Sequence, residues 1–90
     1  MSARATWTAA LGSRLAAARD RAGLTLAAAA ARSGLRLNTV SRWELGRQCP
    51  SAYDLARHCA ALGVSVARLL PPAHDSAVRD QEHDQPAALG

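Results

Sequence analysis

Ninety residues leave room for one domain, and a chain of this length buries only about 60% of the surface it exposes when unfolded, so it can build a single modest core. The net charge of +4 comes from arginine alone and is unevenly placed: ten Arg against three acids in residues 1–70 leave +7, and one Arg against four acids in residues 71–90 leave −3. No window reaches the ~18 apolar residues of a membrane span and no signal-peptide stretch opens the chain, so a soluble cytoplasmic protein without a membrane partner is expected.

Composition favours an all-α fold, since the stretch from Leu11 to Leu70 is dense in Ala, Leu and Arg and holds no β-branched or aromatic run. A first helix is predicted from Trp7, Leu11, Leu15, Ala18 and Ala22, whose spacings of 4, 4, 3 and 4 draw one apolar stripe, with Thr6 or Thr8 to cap its start. Gly23 stands where a left-handed C-terminal cap belongs. Thr25 is a good N-cap for a second helix from Leu26 to Ser33, which Gly34 ends. A third helix is predicted from Leu37 to Leu45 with Gly46 as its stop, followed by a loop at Cys49-Pro50. Ser51 and Asp54 resemble a capping box for a fourth helix with Leu55, Cys59 and Leu62 inward and Gly63 at its end. Ser65 caps a short fifth helix ending at Leu70, because Pro71-Pro72 cannot continue it. Residues 73–90 are polar, acidic and unpatterned. They are expected to form a disordered, flexible acidic tail on a folded domain of residues 1–72, and to compete electrostatically for its basic face.

Two short helices joined by a tight turn define a helix-turn-helix, and Leu26 to Leu45 fits one. Ala30 is the small residue that lets the helices approach, Gly34 supplies the positive φ of the turn, and Leu35, Val40 and Trp43 point into the core. Trp43 is therefore read as a core residue, not as a group that stacks on bases. Gly23-Leu24-Thr25, Ala30, Gly34 and the run Thr39-Val40-Ser41-Arg42-Trp43-Glu44-Leu45-Gly46 followed by Pro50 resemble the Cro and phage-repressor type, the xenobiotic-response-element (XRE) family, over about Leu11 to Leu70. That resemblance implies a five-helix lambda-repressor-like domain with its third helix in the major groove of double-stranded DNA, acting as a transcriptional regulator. It also implies homodimers. A weak one is expected through the C-terminal helix around Val66, Leu69 and Leu70. The chain departs from the family pattern at Leu26, where relatives carry a phosphate-binding Gln, at Ser33, where they carry an apolar residue, and at Arg36, where they carry a capping Ser or Thr.

By similarity to phage repressors, Leu37, Asn38 and Arg42 face base edges. Their chemistry suits this, because Asn pairs with adenine N6 and N7, Arg with guanine O6 and N7, and Leu contacts a thymine methyl. Arg36, Thr39 and Ser41 are candidates for the DNA backbone, as are Arg47 and Gln48 in the loop that relatives use to grip it, with Arg4 and Arg14 as weaker candidates. Arg19 and Glu44 match a family ion pair that ties helix one to the end of helix three.

The thiols of Cys49 and Cys59 lie ten residues apart with no CxxC partner, and His58, His74 and His83 are scattered, so no metal site is expected. Nor does any nucleophile–base arrangement or glycine-rich phosphate loop point to an enzyme, a cofactor or a small-molecule ligand. The alternative reading is a protein-interaction module on the same fold, an antitoxin or coactivator-like adaptor. Polar Asn38, Thr39, Ser41 and Arg42 on the outer face of helix three favour DNA over that alternative.

Overall fold

Helix starts leave N–H groups without partners, and among the described residues four of the five helices begin on a hydroxyl that accepts one of them. In this computed structural model, which describes residues 2–73, Ser2 caps α1 (Ala3–Arg21) and Thr25 caps α2 (Leu26–Ser33), accepting at 3.0 Å from the N–H groups of Ala5 and Ala28. Ser51 caps α4 (Ala52–Leu62) at 3.2 Å and Ser65 caps α5 (Val66–Leu69) at 3.4 Å. Only α3 (Leu37–Glu44) starts without a side-chain cap, on Arg36. The acidic stretch lies, from residue 74 on, outside the described residues.

The start of α1 corrects the sequence expectation. Ser2 provides the cap, and Thr6 and Thr8 sit inside the helix, where their hydroxyls donate back to the carbonyls of Ser2 and Arg4 at 3.2 and 2.8 Å. Ala22, expected as the last residue of the inward stripe, is the exposed C-cap. The helix ends at Arg21, one residue earlier, because Gly23, at φ +73°, reverses the chain so that its own N–H bonds Asp20 O and that of Leu24 bonds Arg19 O. In α4 the capping box is one-sided: Ser51 accepts from Asp54, but the Asp54 carboxylate turns toward Arg57 at 3.9 Å. The other helices end within a residue of their predicted limits, as α3 stops at Glu44 and α5 at Leu69.

Leu11, Leu15 and Ala18 of α1 meet Ala29, Trp43, Leu55, Cys59, Leu62 and Leu69 in one core, with Trp7, Leu24 and Leu35 packed at its margin. α2 is nearly all alanine, so it brings almost no bulk between α3 and α4, and Ala29 and Ala30 are both buried. Leu69 belongs to this core, which corrects the expectation of an open face at Val66, Leu69 and Leu70: among these, only Leu70 is exposed.

α1 and α3 make the closest contact. A Cβ built on Gly12 would run into the Trp43 carbonyl oxygen and stand 2.9 Å from that of Glu44. The end of α3 therefore rests on bare α1 backbone, a constraint that mid-helix Gly12 did not announce. Gly12→Ala tests it. In an open helix this change would stabilise by about 1 kcal/mol through helix propensity. Here it should destabilise by about 1–3 kcal/mol, because the obstructing atoms are main chain and cannot swing aside. A thermal melt at or above that of the parent would contradict the close approach.

Candidate nucleic-acid interface

α3 has two unlike sides. Val40 and Trp43 are 0% and 1% exposed, whereas Asn38 and Arg42, four residues apart and so on one face of the helix, are exposed, and Leu37 beside them is 46% exposed. Thr39 and Ser41 flank this outer face and are half-buried. Arg36 is exposed at the start of α3, and Arg47 and Gln48 are exposed in the loop after it. Because Arg36 supplies no cap, the first N–H groups of α3, at Leu37 and Asn38, are left to solvent or to an anion.

The C-terminal end of α3 is fastened to α1. Arg19 grips Glu44 with two prongs, Nε to Oε2 at 2.7 Å and Nη2 to Oε1 at 3.0 Å, while its Nη1 donates to Leu24 O at 2.9 Å. One guanidinium thus ties together the end of α1, the turn before α2 and the last residue of α3. Its hydrogen bond to Glu44 holds it above the ordinary arginine pKa. At φ +74°, Gly46 then turns the chain so that the Arg47 N–H bonds Arg42 O at 2.9 Å, which sets the loop beside the outer face of α3. Arg4 joins Arg47 and Gln48 along one surface groove. Arg14 is directed elsewhere, since its Nη1 donates to Leu70 O at 3.1 Å.

Two features here carried no recognisable sequence signal. Arg57 of α4 lies against Gly34, where any side chain would collide with its guanidinium, and is 5.6 Å from the centre of the Tyr53 ring. It therefore brings a positive charge to the turn between α2 and α3. The second is His58, which is fully buried against Ser33. Ser33 donates its one hydroxyl hydrogen to Ala29 O at 2.8 Å, so toward His58 Nδ1, at 2.6 Å, it must accept. This assigns the Nδ1–H tautomer. The unprotonated Nε2 and the Trp43 Nε1–H have no hydrogen-bond partner among the described residues, and the two rings meet edge to face at 5.6 Å. The departure at Ser33 is thereby explained, as its hydroxyl accepts from the imidazole Nδ1–H across α2 and α4. Burial also raises the pKa of the Cys59 thiol, which stays protonated. Among the described residues no cluster of His, Cys, Asp or Glu could hold a metal ion, and no helix is long and apolar enough to cross a membrane.

Residues 10–70 match the family described as helix-turn-helix domain, and the chain belongs to that family. It is similar to the clp gene regulator ClgR from Corynebacterium glutamicum in two crystal structures. One is 35% identical with a TM-score of 0.69, covering 93% of this chain and 86% of that one. The other is 36% identical with a TM-score of 0.67, covering 77% and 83%. A structure described as a hypothetical transcription factor, NHTF, from Neisseria is 25% identical with a TM-score of 0.68, covering 84% and 85%. No curated protein sequence matches the chain.

The burial of His58 makes stability depend on pH. Desolvation lowers its pKa from the ordinary 6.5, with Glu44 pulling it up and Arg19 pushing it down by smaller amounts. As pH falls through 6.5 the unfolded imidazole takes up a proton that the folded one resists, so the unfolded state is favoured. Stability should be full above that pH and fall by up to about 1.4 kcal/mol per pH unit below it, until the folded pKa is reached. Melts from about pH 7.5 to 5.5 should show this fall in the parent and a flatter profile in His58→Gln. Identical profiles would contradict a neutral buried imidazole.

Proposed function

We propose that the chain binds double-stranded DNA through α3 in the major groove and regulates transcription by occupying its site. The observation that carries this is the opposition on α3. Val40 and Trp43 are sealed in the core and the end of the helix is fastened to α1, while Asn38 and Arg42 are turned outward with Leu37. These outward groups suit base edges, Asn for adenine, Arg for guanine and Leu for a thymine methyl. Around them, Arg36, Thr39, Ser41, Arg47 and Gln48 take phosphates, helped by the uncapped start of α3 and by Arg4. Arg19 and Glu44 act structurally. The names of the similar proteins, a clp gene regulator and a transcription factor, agree with this role.

Residues 1–72 form the DNA-binding unit, with the acidic stretch as its appendage. Such a regulator needs no catalytic group and works in the cytoplasm. A homodimer through α5 would rest on Leu70 and the half-buried Val66, because Leu69 is taken up by the core, so pairing is weak. A second reading, a protein-interaction face, is favoured by Leu45 and Tyr53, which are 63% and 71% exposed.

Base and phosphate contacts differ in a single titration series. Arg42→Ala should cost about 1–3 kcal/mol on the preferred site and relax the choice at one base pair, with Asn38→Ala acting likewise at a neighbouring A·T pair. Arg47→Ala should weaken all sequences alike and reduce the salt slope by about 1. If Arg42→Ala shifts every affinity equally and keeps the ranking of sites, Arg42 is a phosphate contact and the base-reading assignment fails.

A further inference from the structure

Two bonds to α1 set where the described chain leaves the fold. Arg14 Nη1 donates to Leu70 O at 3.1 Å, and Trp7 Nε1 donates to Pro71 O at 2.9 Å. Pro71 is buried, and Ala73 comes to rest in the wall of a surface groove with Ala3, Arg4, Trp7, Thr8 and Cys49. Arg4, Thr8 and Cys49 also line the adjoining groove that runs on to Gly46, Arg47 and Gln48. Neither Arg4 nor Arg47 has a carboxylate partner among the described residues, where the ion pairs are Arg19 with Glu44 and Arg57 with Asp54. From that wall the chain continues with Asp75, Asp80, Glu82 and Asp84 against the single cation Arg79.

We propose that residues 74–90 of this same chain dock along the groove, with their carboxylates against Arg4 and Arg47. They thereby compete with DNA for this surface, a consequence that rests on the DNA-binding reading. Asp75 is two residues from Ala73 and so lies within about 7 Å of the groove wall. Seventeen residues reach at most roughly 60 Å from the groove wall when fully extended, so the tether is long enough to bring all four carboxylates to the groove at an effective concentration in the millimolar range. Each exposed pair contributes little by itself, and the contacts are screened by salt, with a Debye length of about 10 Å at 0.1 M. Docking is therefore reversible and strongest at low salt. It occupies the cations beside the loop and leaves Asn38 and Arg42, which lie outside the groove lining, untouched.

The test compares the full chain with a full-length variant carrying Asp75→Asn, Asp80→Asn, Glu82→Gln and Asp84→Asn, by amide and indole NMR at low salt. The signals of Arg4, Thr8, Arg47 and Cys49 and the Trp7 indole should differ between the two and converge above about 0.5 M salt. The buried Trp43 indole serves as the internal control. Arg4→Ala in the full chain should remove most of the differences at Thr8 and Cys49. Docking is overturned if nothing differs at low salt, or if the differences fall on Asn38 and Arg42 instead. Affinity for random duplex DNA then reads the consequence, and neutralising the tail should raise it by on the order of tenfold at low salt. If the NMR differences appear but duplex affinity is unchanged, docking stands and it is the assignment of Arg4 and Arg47 to DNA phosphates that fails.

Discussion

The contact of the α3 terminus with the backbone of α1 governs the rest of the structure. With no side chain at Gly12, the Trp43 and Glu44 carbonyls come down onto α1, and one turn earlier on α1 the backbone at Ala9 meets Gly46, where a Cβ would be 2.9 Å from Ala9 Cα. Arg19 closes the same junction with its two-pronged grip on Glu44. A helix of eight residues is too short to hold its shape or direction alone. Fastened at one end and sealed along one side by Val40 and Trp43, α3 has a single orientation, and its free end and outer face become a rigid projecting surface. Rigid placement matters for base recognition, because bidentate pairing with a base edge tolerates little misalignment.

Behind α3 the core makes an unusual concession for so small a domain. A buried imidazole, a buried serine and an indole N–H stand where apolar side chains would pack without desolvation cost. The cost is partly offset because the Ser33 hydroxyl accepts from the His58 Nδ1–H and ties α2 to α4 across the middle of the domain. The edge-to-face contact of His58 with Trp43 extends this tie to α3, so the protonation state of one core residue bears on the element that carries the recognition face.

Most of the helical framework was legible because it rests on local chemistry. Thr25, Ser51 and Ser65 as caps, and Gly23, Gly34, Gly46 and Gly63 at left-handed turns, are short-range signals, and all of these glycines have positive φ. The start of α1 was misread because three hydroxyl residues compete there, and Thr6 and Thr8 serve as well inside a helix as before one. The long-range features stayed hidden. Nothing local marks Gly12 as a contact surface, pairs Ser33 with His58, or lays Arg57 against Gly34, since each partner comes from a distant part of the chain. Leu69 was read as surface because a helix of four residues has too little periodicity to distinguish its inner side from its outer. For the interface, the polar run on α3 was visible in advance. The roles of its residues were carried by the family resemblance, and the structure adds that Leu37, Asn38 and Arg42 are exposed together.

The most direct measurement of the DNA-binding reading is an amide NMR titration of the full chain with a short mixed-sequence duplex at about 0.1 M salt, where even non-specific binding populates the complex. The largest changes should fall on Arg36 to Arg42, Arg47 and Gln48, with His58, Leu62 and Leu69 nearly still. Changes centred on Tyr53 and α5, or no change at saturating duplex, would contradict recognition through α3.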